Sequence, residues 1–507
     1  MRLAALALSL LGASAPACAI PHVVLVQNSG WMEPFYSDPK SAFKPLVTEL
    51  VASVVQPDDA LVLAAFNQSL PGAPSPRALL SEQVDGKTVH AHVAAALSGL
   101  QTARKPGAGK SGAGKPGAGK SGGSALADTD LGEAVNAALN QVLGGKPGLV
   151  WVVTNNRNSP NNDQATAARN REFYALIHHG AAIDKALAFP LRMPVQGAHY
   201  SANGLMVYVF AVGREGTRAL DALLASGRVR RVITEPPARL KPLDRDTVRL
   251  VPRRVEGAAG VALAMDAAGR LHADVKPGAV APSTRIQWQL ENTIYPYTIA
   301  DASLSARSML AGENRPIELA RHEVKALAPG KAEPLASSMQ LPVAKLPGKW
   351  SMEALKSAGS AYVLPGQIEL HLAGQRLVLS QAFRERMADL FPGDPLPEIF
   401  TPPAEIQAST ATLPLEVRVH YGSGPLLALI GGLFALLAAG AGAGYAFGRP
   451  RRVQLTVEDE LRTMQTRAGA TQPIYDKAGR QVASLKTTLF GHQLIDLREG
   501  AQVRLGR

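Results

Sequence analysis

The chain has 507 residues, more than one hydrophobic core sustains, since single cores rarely grow beyond about 250–300 residues. Its 53 Lys and Arg against 41 Asp and Glu give a formal net charge of +12, yet no basic helix or aromatic-studded basic strand concentrates that charge, which argues against a nucleic-acid partner. The one cysteine, Cys18, leaves no pair to form an internal disulfide.

Arg2, the apolar run 3–11 and the small residues Ala17-Cys18-Ala19 read as a secretory signal peptide over residues 1–19, cut after Ala19. The rival, lipidation at Cys18, lacks the aliphatic residue usual three positions earlier, where Ala15 stands. The exported chain would then carry no thiol into an oxidising compartment. Residues 20–235 alternate apolar strands (23–26, 60–66, 149–154, 182–191, 204–213) with helical patterns at 43–54, 89–100, 131–142 and around 220–224. That alternation predicts an α/β region with a mostly parallel sheet covered by helices on both faces, and a ligand site beyond the C-terminal strand ends.

The loop 103–124, ARKPGAGKSGAGKPGAGKSGGS, repeats Lys, Pro or Ser, Gly, Ala, Gly and predicts a flexible insertion. Within it, 114–121 spells GKPGAGKS, a formal phosphate-loop match. No apolar strand leads into it, so the match is a product of the repeat. From 236 to 420 the texture changes to short alternating strands, at 284–290, 298–306, 367–372 and after Lys349-Trp350, which predicts one or two β-sandwich modules. An amphipathic helix at 381–390 and the Pro-rich stretch 391–403 are expected to form a stalk toward the membrane.

Residues 425–447, PLLALIGGLFALLAAGAGAGYAF, run 23 positions without a charge, and a bilayer core needs about 20. Arg449, Arg451 and Arg452 follow at once, so the positive-inside rule places residues 449–507 in the cytoplasm and the large N-terminal part outside. Gly440, Gly444 and Gly448 recur at every fourth residue, a spacing that suits a homodimer through the helix but also follows from Ala/Gly-rich composition. The tail carries 11 Lys/Arg against 6 Asp/Glu, a balance explained by topology and by attraction to anionic lipid, and its strand-like pieces at 453–457, 481–485 and 502–505 point to a small β module.

Three segments remain: VVLVQNSGWM at 23–32, TDLGEAV at 129–135 and LVWVVTNN at 149–156. Their order and their strand, helix-start and strand contexts resemble von Willebrand factor A domains, whose fold is Rossmann-like, over residues 20–235. Those domains hold a divalent cation with Asp-x-Ser-x-Ser, a Thr and a second Asp. The resemblance puts these roles on Gln27, Ser29, Trp31, Thr129 and Asn155, of which only Ser29 and Thr129 keep the family's residue type. Two amides, two hydroxyls and an indole are a poor set for a hard cation, so no metal or other cofactor is expected. Asp128 or Asp130 could supply a carboxylate, but either is better placed to cap the helix that starts there, with Glu133 closing a capping box from Asp130.

Trp31, Asn155, Asn156 and Asn158, with Asn161 and Asn162 beyond, would share one rim, an aromatic anchor among amides fit for a protein partner. Trp31 could equally plug the vacated metal position. The pairs His90/His92 and His178/His179 lack a Cys or carboxylate neighbour in sequence, Ser29 sits in Asn-Ser-Gly rather than a nucleophile elbow, and no catalytic group emerges. The expectation is a non-enzymatic protein of the bacterial inner membrane, single-pass, with a periplasmic N-terminal part that binds a protein partner in the cell envelope. A single-pass receptor signalling through the tail is the alternative.

Overall fold

β1 (His22–Gln27) is buried along its whole length, which a strand sustains only when both faces are covered. Val24 and Val26 enter one apolar cluster, Val23 and Leu25 another. The computed structural model describes residues 19–506 apart from 106–125, 158–163, 267–269, 280–282, 311, 342, 344–345, 358–359 and 394–396. The signal segment before Ala19, most of the repeat loop including its phosphate-loop match, and Asn158, Asn161 and Asn162 therefore lie outside the described residues.

After β1 come α1 (Glu33–Ser37), α2 (Phe43–Val54), β2 (Ala60–Phe66), β3 (Arg77–Gln83), α3 (Val89–Ser98), α4 (Leu131–Ala137), β4 (Gly148–Thr154), α5 (Gln164–His179), β5 (Ile183–Gln196), β6 (Ser201–Val212), α6 (Gly213–Ala225) and β7 (Ala238–Lys241). Phe43, Val47, Leu50, Val51 and Val54 recur at helical spacing, so α2 buries one stripe, and α2, α3 and α6 cover one sheet face while α4 and α5 cover the other. The strand order is β3-β2-β1-β4-β6-β5-β7. Only β1 with β2 and β1 with β4 pair in parallel; β2 with β3, β4 with β6, and β5 with β6 and β7 are antiparallel. The expected mostly parallel sheet is thus a mixed one. A four-residue turn joins β5 to β6, and so short a link can only reverse the chain beside itself.

The next strands are β8 (Val248–Glu256), β9 (Val261–Met265), β10 (Leu271–Val275), β11 (Ser283–Asn292), β12 (Tyr297–Leu310), β13 (Glu313–Leu319), β14 (Glu323–Leu327) and β15 (Ala332–Gln340). They are followed by α7 (Met352–Lys356), β16 (Ala361–Leu379), α8 (Gln381–Leu390) and β17 (Ala408–His420). They build one ten-stranded sheet ordered β8-β11-β15-β13-β12-β16-β17-β10-β9, with β14 beside β12. This corrects the sandwich expectation. The strands at either end of that order, β8 and β9, are consecutive in the chain and linked near the Ala258–Val261 bridge, so the sheet nearly closes into a barrel. Register shifts at Asp301 between β12 and β16 mark bulges, which add the twist that curls a sheet. No strand forms at Lys349-Trp350, where a turn leads into α7 and Trp350 is 67% exposed.

The Pro-rich stretch after α8 is no stalk. Phe383, Met387, Leu390, Phe391, Ile399 and Phe400 bury themselves against the face of the first sheet that carries α4 and α5. Tyr174 Oη donates to Thr401 O at 3.2 Å, Arg157 Nη2 to Pro392 O at 3.0 Å, and Arg192 pairs with Asp389 at 2.7 Å. Most of the two sheets consequently belongs to one compact unit over most of residues 19–417, and a second unit holds 274–279, 345–363 and 418 onward.

In that second unit, α9 (Gly424–Gly448) is the one helix among the described residues long and apolar enough to cross a membrane, with a mean hydropathy of 2.2 over Gly424–Tyr445. Beyond it, β18 (Arg451–Val457), β19 (Glu460–Thr466), β20 (Thr471–Tyr475), β21 (Gln481–Thr487), β22 (His492–Ile495) and β23 (Val503–Leu505) form two three-stranded sheets around Val453, Leu455, Val457, Ile474, Ala483 and Leu485.

Candidate functional site

Parallel pairing of β1 with β2 and β4 delivers the loops after Gln27, Phe66 and Thr154 to one edge of the sheet. The segment before α4 joins them. Gly30 N donates to Ala127 O at 2.8 Å, and a Cβ at Gly30 would stand 2.5 Å from Leu126 Cβ, so only glycine admits this crossing.

Gln27, Ser29, Thr129, Thr154 and Asn155 are all buried there. Gln27 Nε2 donates to Ser29 Oγ at 2.7 Å and to Thr129 Oγ1 at 2.8 Å, with Arg157 O farther off at 3.4 Å. Thr129 Oγ1 donates in turn to Ser29 Oγ at 2.6 Å. On its other side, Gln27 Oε1 accepts the Thr154 hydroxyl and the Asn155 backbone N–H, the latter at 3.1 Å. One carboxamide thus ties together three loops. Every partner is neutral, whereas magnesium gives up its waters mainly to anionic oxygens. The two groups hydrogen-bonded to Ser29 are an amide and an alcohol, and neither can take its proton.

Asn155 and Asn156 are buried, so the expected amide rim is corrected at both positions. Asn155 Nδ2 donates to Trp31 O at 2.6 Å and Asn156 Oδ1 accepts the Tyr208 hydroxyl. Asn156 also takes a φ of +66°, a left-handed conformation asparagine tolerates better than most residues, and its backbone turns the chain away from the strand. Trp31 is half-buried and does not plug the centre, which the Gln27 side chain occupies. Its ring meets Tyr200 edge-on at 5.2 Å, and the Arg157 guanidinium lies 5.0 Å from its centroid and 5.9 Å from that of Tyr200. Burial first of all pushes the Tyr200 phenol up, so it stays protonated. The surface that remains is a cation on two half-exposed aromatic rings.

The remaining candidates separate. Asp128 pairs with Lys105 at 3.0 Å. Asp130 caps α4 by accepting Glu133 N at 2.9 Å, and burial raises its pKa. Glu133 turns its carboxylate to Ser69 N at 3.1 Å, which ties the strand-β2 loop to α4 in place of the expected capping box. His90 and His92 each meet one carboxylate, Glu49 at 3.0 Å and Glu82 at 2.7 Å. His178 is buried with Nε2 at 3.0 Å from Ile399 O, while His179 faces Glu405 at 3.5 Å. Among the described residues, no three His, Cys, Asp or Glu side chains gather as a metal site. Gly440, Gly444 and Gly448 lie on α9 with open space where a Cβ would stand.

Thr154, Arg157, Tyr200 and Tyr208 were not legible as site residues. Thr154 reads as the last residue of an apolar strand, and Tyr200 belongs to a hairpin turn with no motif of its own. No family model matches the chain, and no curated protein matches it.

Proposed function

We propose that this is an exported, single-pass cell-envelope protein without enzymatic activity, whose first sheet and helices form a von Willebrand factor A-like module that binds a protein partner without a metal. The observation that carries the reading is the Gln27 carboxamide. Ser29 and Thr129, the two positions that keep the resembled family's hydroxyl ligands, accept hydrogen bonds from Gln27 Nε2 through their hydroxyl oxygens. The parallel placement of β1 between β2 and β4 supports the likeness. The antiparallel β6 next to β4 departs from a doubly wound sheet, and the nearly closed second sheet is no part of such a module.

With the centre filled, recognition falls to Trp31, Tyr200 and Arg157 at the same edge. Aromatic residues and arginine are the side chains that dominate binding energy at protein interfaces. On this reading the edge faces the periplasm of a bacterial inner membrane protein and the tail lies in the cytoplasm, a topology supported by the signal pattern of residues 1–19, the apolar α9 and the basic Arg449, Arg451 and Arg452 after it. A photoreactive side chain at Ala198, an exposed neighbour of Tyr200, should crosslink the full-length protein in cells to a discrete partner. Trp31→Ala should abolish that adduct while the variant accumulates in the membrane at the wild-type level. An adduct pattern indifferent to Trp31→Ala overturns the reading.

A further inference from the structure

β1 has a second end. Opposite Gln27, at the N-terminal edge of the sheet, Asp59 is buried at the turn before β2. Its Oδ2 accepts Gln56 N at 2.7 Å, and its Oδ1 accepts Ile20 N at 2.9 Å. His22 Nε2 stands 3.5 Å from Oδ2, but burial, and after it the charge of Arg228, push His22 down to about 4, so it is neutral and brings no countercharge. Arg228 acts on Asp59 through space while its guanidinium donates to Val55 O. A cavity of about 460 Å³ opens beside this group, lined by Ile20, Pro21, Pro147, Glu215 and Arg218 among others. Ala19 is exposed, whereas Ile20 is half-buried.

We propose that proteolytic removal of the signal segment between Ala19 and Ile20 turns this contact into a buried ion pair, with the new α-ammonium of Ile20 locked on Asp59. Water hydrolyses the Ala19–Ile20 peptide bond, leaving the carboxylate on Ala19, and the released Ile20 amine takes a proton. The nitrogen needs no displacement, because it already sits at hydrogen-bond distance from the carboxylate. A buried carboxylate with no opposite charge in direct contact is costly, and before cleavage the Asp59 side chain receives two neutral N–H groups while Arg228 acts on it only through space. The titratable groups around the new ammonium are Asp59 itself, Asp58 beside it in the turn before β2, His22 on β1, Arg228, which acts on Asp59 through space, and Glu215 and Arg218 of α6, which line the same cavity. The maturation cut thereby closes the N-terminal edge of the sheet, and the exported chain differs in stability from its precursor. This inference rests on the export proposed above but not on the partner-binding reading, since it involves none of the residues at the Gln27 edge.

The test compares the full-length protein, purified from membranes in detergent, with a variant carrying Ala-Ser inserted after Ala19, so that the cut leaves a free amine two residues away and Ile20 N remains an amide. Mass spectrometry of the wild type should find Ile20 first. Its α-amine should react with an acylating reagent at least about tenfold more slowly than that of the extended chain, the factor set by a one-unit rise in its pKa. The wild type should melt several degrees above the extended chain below about pH 8, the ordinary range of a terminal amine. That advantage should vanish as pH rises through the elevated pKa, because a cation stabilised by folding contributes only while protonated. Asp59→Asn should remove the difference as well. A mature chain starting elsewhere, or an extended chain equal to wild type in labelling and melting from pH 7 to 10, overturns the proposal.

Discussion

The two ends of β1 solve opposite problems with the same strand. At its C-terminal end, Gln27 satisfies itself against Ser29, Thr129, Thr154 and Asn155 with no formal charge. At its N-terminal end, Asp59 and His22 are as deeply buried but titratable. A neutral network holds its loops equally at any pH and leaves little for an ion to gain. A buried acid next to a neutral imidazole makes stability depend on protons and on what countercharge arrives.

The largest effect expected from that contrast is at Gln27. Gln27→Ala strips three buried hydroxyls and one N–H of their shared partner and opens a cavity, and should cost about 3–5 kcal/mol in a denaturant melt at every pH. The sharper form of the experiment replaces Gln27 and Asn155 together by Asp. That chain should be destabilised alone and regain melting temperature with millimolar magnesium or manganese, while wild type is indifferent to both ions. Wild-type stabilisation by magnesium, lost in Ser29→Ala, would break the contrast.

At the other end, His22 gives a pH signature. The unfolded chain takes up a proton near pH 6.5 that the folded chain refuses until about 4. Stability from this group is therefore present above 6.5 and lost as pH falls through that window, by up to about 3 kcal/mol. Asp59, whose pKa burial raises, works in the opposite sense, binding its proton more readily in the folded chain. His22→Gln should flatten the profile between pH 6.5 and 4, whereas an unchanged slope would assign it to other groups.

The smallest effect belongs to the rim. Trp31 is half-buried and carried mainly by its contacts with Tyr200 and Arg157, so Trp31→Ala should cost only about 1–2 kcal/mol of stability. In a double-mutant cycle with Arg157→Ala, the coupling should be about 0.5–1 kcal/mol. A loss as large as that of Gln27→Ala would make Trp31 a core residue and leave the edge without an anchor.

Much of the first sheet was legible because its information is local. The runs at 23–26, 60–66 and 149–154 and the stripe of α2 declare strand and helix within a few residues, and they appear within one or two positions of those bounds. The direction of β6 was readable too, since no helical pattern separates it from β5, but an overall α/β rhythm outweighed that gap. The 391–403 stretch misled for a different reason. Its prolines suggest an extended stalk, while the fate of Phe391, Ile399 and Phe400 depends on a sheet face some two hundred residues earlier in the chain.

The sequence by itself determined the apolar helix over 425–447, the strand and helix alternation of the first region, the strand that ends at Gln27 and the segments that carry Ser29, Thr129 and Asn155, because periodicity and the absence of charge act over a short window. Only the tertiary structure decided what those residues do. Thr129 and Thr154 stand 102 and 127 positions from Gln27, and Asp59 stands 39 from Ile20. Which hydroxyl meets which amide, and which nitrogen meets a buried carboxylate, follows from how the sheet brings distant loops to one edge, since a hydrogen bond is set by distance in space rather than along the chain.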